Sequence, residues 1–155
     1  QVLDATRMKI KRCIGCGNCE KKGQCVFKDD FSQVFLPAVI SADIMVISSP
    51  VYFYAFPADV KALIDRIQVL WSQKYILKTQ SFENRERRGV LLAVAATSGR
   101  DLFAGMEQTA RYFFDAAGIE YTAALCYRGI DQKGEIKEHP TVHEDIKKLV
   151  QELCA

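Results

Sequence analysis

Four of the chain's six cysteines stand within thirteen residues, in CIGCGNCEKKGQC, with the spacing Cys13-x2-Cys16-x2-Cys19-x5-Cys25. Two consecutive x2 steps fold a chain tightly enough to bring three thiolates toward one centre. Gly15, Gly17 and Gly23 relieve the backbone where that folding is tight, and a fourth ligand five residues on can close the shell. Such a cluster can serve as a zinc clip, a disulfide staple, a redox dithiol or a seat for an iron–sulfur cluster. Structural zinc sites more often separate two Cys-x2-Cys pairs by a longer stretch, whereas bacterial ferredoxins use a similar compact run with a shorter last spacer. The spacing favours a cluster over zinc. If the thiols are bare, Cys13 and Cys16 form a candidate redox pair.

A second constellation is SSPVYFYAFP, in which Tyr52, Phe53 and Tyr54 precede Phe56. Aromatic residues in a loop beside a strand end can wall a flat apolar ligand, with backbone amides and the hydroxyls of Ser48 and Ser49 as polar contacts. The same residues could pack against a sheet or a neighbouring subunit, and their chemistry alone leaves both readings open.

The elements that must position these residues follow from apolar patterning. Asp43–Ser49, Gly89–Ala96 and Ile119–Tyr127 are apolar runs of the kind found in parallel sheets covered on both faces. Between them, Val60, Leu63, Ile64, Ile67 and Leu70 recur at helical spacing after Pro57, which suits a first turn. A second helix is expected from about Leu102 to Ala117, ending at Gly118 as a left-handed cap. A third starts at Thr141, with Glu144 completing a capping box and Ile146, Leu149, Val150 and Leu153 forming its stripe. In DDFSQVFLPAVISAD, Pro37 predicts a kinked or broken helix. The polar stretch Ser72–Arg88 predicts an exposed loop tip. Alternating strands and helices make one α/β doubly wound domain, residues 1–155, in three layers, with ligands expected at the carboxyl ends of the strands.

Composition narrows the partners. Twenty-one basic and 19 acidic residues leave a formal charge of +2, so no large positive field points to nucleic acid or an anionic membrane. No apolar run approaches the roughly 20 residues that span a bilayer, and QVLDATRMKI reads as neither signal nor transit peptide. The simplest address is cytoplasmic, a reducing compartment in which clustered cysteines serve metal or redox chemistry more often than disulfides.

SSPVYFYAFPADVKALIDR resembles the signature of the NAD(P)H-dependent FMN reductases, flavodoxin-like proteins in which a strand ends in a Ser-Pro-Val-Tyr turn and a Lys-Ala-Leu-Ile-Asp-Arg helix follows. The resemblance implies that the turn, Ser49 with Pro50, Val51, Tyr52, Phe53 and Tyr54, lies against the isoalloxazine ring of FMN. It places a second flavin-contacting loop at Thr97, Ser98, Gly99 and Arg100, a stretch that also reads as an ordinary strand-to-helix turn. CIGCGNCEKKGQCVFKDDF is similar in order and position to the motif of one subgroup, the iron–sulfur flavoproteins. That similarity implies Cys13, Cys16, Cys19 and Cys25, in a loop spanning 13–28, as ligands of a [4Fe-4S] cluster, with zinc or bare thiols as alternatives. It further implies an FMN-dependent oxidoreductase or electron-transfer protein, served by NAD(P)H or a ferredoxin-like donor and working as a homodimer or homotetramer. A zinc- or thiol-bearing interaction module without flavin is the alternative.

The resemblance also sets an expectation about what precedes Gln1. Flavodoxin-like domains begin with a strand, a phosphate-cradling loop and a helix, and QVLDATRMKIKRC offers only the tail of a second strand. An upstream segment of roughly 30 to 45 residues is therefore expected. The remaining residues have plainer readings: Cys126 and Cys154 as packed small side chains, His139 and His143 as surface groups, and Asp65 and Arg66 as an ion-pairing helix end. Trp71 is read as a packed helix end or a cover for a partner's flavin. Arg85, Arg87 and Arg88 are read as a solvated tip or a nucleotide-phosphate contact.

Overall fold

Apolar runs become interior strands where helices can cover them, and three do so here. In this computed structural model, which describes residues 1–80 and 85–154, strands β1 (Ile44–Pro50), β2 (Arg88–Ala95) and β3 (Glu120–Arg128) pair in parallel in the order β1-β2-β3. Ile47 stands opposite Leu91, and Leu91 opposite Ala124. Each strand falls within one residue of its expected position.

Successive side chains point to opposite faces of a strand. One face, carrying Ile47, Leu91 and Ala93, is covered by α2 (Leu36–Ser41), α3 (Ala58–Arg66), α4 (Gln68–Trp71) and α5 (Ala104–Ala116). Phe31, Phe114, Ile67, Leu70 and Met106 fill this core. Gly89 is required by packing, because a Cβ there would stand 2.7 Å from the Phe114 ring. On the opposite face lies α6 (Val142–Leu153), where Val90, Val142 and Leu149 are buried. Tyr127 there donates to Asp145 at 3.1 Å. Ile44 and Val46 of β1 and Ile146 and Val150 of α6 remain exposed, so this second layer covers only part of its face.

Pro37 breaks its helix as expected, by a definite device. Residues Phe31–Phe35 form a widened π-helical turn, with the Leu36 N–H bonded to the Phe31 carbonyl, and α2 begins around Pro37, where a missing N–H matters least. Helix α5 ends as expected, with Gly118 at φ 66°.

Four expectations are corrected. Residues 1–12 form no strand: a short 3-10 turn, Ala5–Arg7, leads into extended chain, and Leu3, Ala5, Met8 and Ile10 pack on the core. The Lys9 and Lys11 amides bond to the carboxylates of Asp30 and Asp29 at 2.7 and 2.9 Å instead of to a sheet. The capping box at α6 does not form, since Thr141 donates its hydroxyl to Asp145 at 2.6 Å and Glu144 pairs with Lys148. Cys154 is exposed.

The fourth concerns Ser72–Arg88. Its first five residues continue as a π-helical turn, Ser72–Ile76, and the expected exposed tip falls on residues 81–84, outside the described part; what is corrected is the solvated reading of its arginines, which stopper helix ends. Arg85 pairs with Asp43 at 3.1 Å and reaches the Ile40 and Ser41 carbonyls. Arg87, buried, donates to the carbonyls of Val39, Ala42 and Ala117. Arg88 donates to those of Glu152 and Leu153, both at 2.9 Å. Carbonyls at helix carboxyl ends lack intrahelical partners and carry partial negative charge, so guanidinium groups satisfy both needs.

Candidate functional site

Both candidate ligand loops leave the carboxyl ends of strands, the favoured place for ligands in such sheets. After β1 the chain makes a two-residue turn: Tyr52 N–H bonds to Ala55 O at 2.9 Å, and Ala55 N–H bonds to Tyr52 O at 3.0 Å. Its central residues, Phe53 and Tyr54, have φ of 49° and 62°. A turn with both central residues left-handed ordinarily takes Asn or Gly. Two aromatic side chains there cost about 1–2 kcal/mol each, and strain of this kind concentrates at functional sites.

The turn holds its rings outward. Phe53 is fully exposed, Tyr52 and Tyr54 are at least half exposed, and Pro50 is exposed, whereas Val51 packs toward the core. The Ser49 hydroxyl turns inward, buried and bonded to the Pro50 carbonyl at 2.9 Å. Tyr54 brings the two loops together: a Cβ on Gly99 would collide with its hydroxyl, and one on Gly105 would stand 2.9 Å from its carbonyl. Thr97 and Ser98 are exposed beside it. The assembled surface offers flat aromatic faces and exposed hydroxyls, which suit an isoalloxazine ring, and Gly99 lets Tyr54 lie close against the second loop.

The cysteines form the other constellation. All four line a single cavity of about 360 Å³, together with Phe27, Arg66 and Val69. The loop folds as its glycines require, with Gly15, Gly17 and Gly23 at φ of 62°, 68° and 65°. Between Gly17 and Gly23 the one-turn helix α1 (Asn18–Lys22) carries Cys19. Gln73 fixes the loop from outside, donating to the Gly23 carbonyl at 2.7 Å. Cys13 and Cys16 are exposed, Cys19 and Cys25 half-buried.

Among the described residues, no three Cys, His, Asp or Glu side chains converge closely enough to hold a single metal ion. A zinc ion would need four sulfurs at about 2.3 Å from one point. A [4Fe-4S] cluster takes four thiolates as well, one at each iron, and the cavity that all four cysteines line is where either group would sit. A buried donor fits the same reading: Arg66 lines the cavity, and its Nε–H has no acceptor among the described residues.

Arg66 is the residue that sequence reasoning undervalued. Its side chain is 1% exposed, at the end of α3, and its guanidinium lies 4.3 Å from the Phe31 ring centre and 5.3 Å from that of Phe27. Nη1 donates to Asp29 Oδ2 at 2.6 Å and to the Lys11 carbonyl at 3.0 Å, and Nη2 donates to Cys25 Sγ at 3.2 Å. Burial alone would raise the Asp29 pKa. The bonds from Arg66 and the Lys11 amide, with the arginine charge, outweigh it and hold that carboxyl below its ordinary range. The expected ion pair at this helix end exists twice: Asp65 pairs locally with Lys61 at 2.6 Å on the surface, while Arg66 reaches across to Asp29. The available signal was an arginine closing an apolar helix stripe after an Asp-Asp pair.

The other cysteines stay apart. Burial, with the Glu107 charge, pushes the Cys126 thiol up to about 11, which suits an inert packed side chain. His139 stacks edge-on against Tyr127 at 4.6 Å, and Trp71, partly exposed, against Tyr75 at 5.7 Å.

Residues 2–122 match the family model described as NADPH-dependent FMN reductase. The chain belongs to that family. It is 41% identical over 59 residues to an iron-sulfur flavoprotein of Archaeoglobus fulgidus, an alignment covering 38% of this chain and 26% of the relative. To two iron-sulfur flavoproteins of Methanocaldococcus jannaschii it is 30% identical over 105 residues and 33% over 114, covering 68% and 73% of this chain and 50% and 52% of theirs. The chain thus spans about a quarter to a half of the length of these relatives. Among solved structures it resembles the Trp repressor binding protein from Bacillus subtilis, with TM-score 0.53 and 18% identity, over 72% of this chain and 65% of that one. That likeness agrees with the flavodoxin-like α/β fold. No helix of the described residues is long and apolar enough to cross a membrane.

Proposed function

We propose that this chain forms the electron-transferring part of an FMN-dependent oxidoreductase that holds FMN at the aromatic turn and a [4Fe-4S] cluster at Cys13, Cys16, Cys19 and Cys25. The observation that carries this reading is the placement of the two constellations at opposite ends of one helix. Pro57 leads from the aromatic turn into α3, and nine residues later α3 ends at Arg66 on the cysteine cavity. At about 1.5 Å per residue the helix between them is about 13 Å long.

Bound FMN would accept a hydride as two electrons and release them one at a time. The chain's own residues make that useful. Tyr52, Phe53 and Tyr54 offer flat faces to the ring, Gly99 leaves room for the Tyr54 hydroxyl that fixes one of those faces, and the exposed hydroxyls of Thr97 and Ser98 can bond to the ring's polar atoms. The four thiolates would hold iron, with Gly15, Gly17 and Gly23 permitting the loop to wrap it. Helix α3 fixes the spacing, so a reduced flavin has a one-electron acceptor in the same chain. NAD(P)H or a ferredoxin-like protein supplies the electrons, and the protein works in the cytoplasm as a homodimer or homotetramer. The names of the relatives and the ferredoxin-like spacing support the cluster over zinc.

Anaerobic purification followed by absorption spectroscopy and iron, sulfide and zinc analysis tests the proposal. Flavin bands with a broad iron–sulfur shoulder, and iron with matching acid-labile sulfide, are expected. A colourless protein carrying zinc would replace this reading with that of a metal-stabilised interaction module.

A further inference from the structure

We infer that Arg66 sets the reduction potential of the cysteine-held cluster, acting through Cys25 and balanced by Asp29. The inference rests on the reading of the cysteines as cluster ligands and goes beyond it, to the residues that decide how readily the cluster takes an electron.

A guanidinium beside a ligand sulfur is a tuning device because reduction adds one negative charge to the cluster and its thiolates. The electron comes from the reduced flavin, and no bond forms or breaks in the transfer. Hydrogen bonds to the sulfurs, net charge and solvent exposure set cluster potentials. All three meet at Arg66. Its Nη2 donates to Cys25 Sγ at 3.2 Å, its charge is buried, and the rings of Phe27 and Phe31 screen it from water. A positive charge there stabilises the reduced state more than the oxidised state, so it raises the potential.

Asp29 limits the effect. Its Oδ2 accepts from Nη1 of the same guanidinium at 2.6 Å and from the Lys11 amide at 2.9 Å. The carboxylate therefore offsets part of the arginine's charge while fixing the plane of its fork. The two residues should move the potential in opposite directions, a pattern that a purely structural role would not produce. Glu144 and Lys148, an exposed pair at 3.8 Å on α6 across the sheet from the cavity, serve as the control.

The test is an EPR-monitored redox titration with dithionite of the anaerobically reconstituted wild-type protein and the variants R66Q, R66K, D29N and K148A. The expected result is a lower potential for R66Q, by about tenfold in the equilibrium constant for accepting one electron, or about 59 mV. R66K, which keeps the charge, should recover most of that loss. D29N should shift upward, and K148A should match wild type. If R66Q fails to assemble a cluster, the upward shift in D29N and the position of R66K decide the matter. Potentials that stay together, or that fall in both R66Q and D29N, would overturn the inference while leaving the cluster reading intact. A wild-type protein that takes up no iron and sulfide would overturn both.

Discussion

The two ends of α3 are built on opposite principles. At its start, the aromatic turn is held by backbone bonds and pays for its shape in strain, with Phe53 and Tyr54 in left-handed conformations and rings turned to solvent. At its end, the cysteine loop is relaxed, with glycine at each left-handed position, and the tension is electrostatic: a buried guanidinium shared among a carboxylate, a carbonyl and a thiol. The first arrangement suits an uncharged flat ring, to which it offers surface. The second suits a group whose charge changes, because only a buried charge with few competing partners can respond strongly to one electron.

This contrast breaks most sharply at Arg66. Truncation to alanine should cost roughly 3–5 kcal/mol, because it strands Asp29 in a largely buried site, and chemical denaturation of the wild type and variant would measure the loss. At the other end, Gly99→Val should leave stability less affected but drive Tyr54 out of place, weakening FMN about tenfold or more, or ~1.4 kcal/mol, in a fluorescence titration. Unchanged affinity would remove Gly99 from the flavin surface. Phe53→Gly sharpens the contrast further. It relieves a strained residue that buries nothing, so thermal stability should rise by about 1 kcal/mol, while FMN affinity falls. A drop in both would mean that the ring packs in the free protein.

The smallest effect concerns acid. The folded-state pKa of Asp29 is held below its unfolded value of about 3.9, so its contribution is present above that pH and is lost as pH falls through the folded value. Melting curves of wild type and D29N should therefore converge below about pH 4. A constant gap through that range would show that the Asp29 charge is not what stabilises the pair.

The sheet was legible because its strands are apolar on both faces, and a run such as GVLLAVAA has few other homes. Pro37 and Gly118 were legible because proline and glycine restrict or free the backbone locally. Thr141 misled because a side chain can choose between the backbone amide and a nearby carboxylate, and Asp145 won that competition. Arg87 misled more deeply. In sequence it sits in a charged stretch that reads as solvent-facing, and only the fold brings three carbonyls around it. The same limit applied to Arg66, whose partners Lys11, Cys25 and Asp29 lie between 37 and 55 residues away. Cysteine spacing announced the cavity, while the residues that govern its charge came from long-range packing.

The central claim is that electrons pass between a flavin and a cluster held in one protein. Rapid mixing of the anaerobically reconstituted protein with NADPH or with a reduced ferredoxin, sampled by flavin absorbance and freeze-quench EPR, tests it most directly. The account predicts that the signal of the reduced cluster appears in step with redox change at the flavin, and that replacing Cys19 and Cys25 by serine abolishes that signal while the flavin still binds. A flavin that cycles fully with no reduced-cluster signal, in protein shown to contain iron and sulfide, would contradict it.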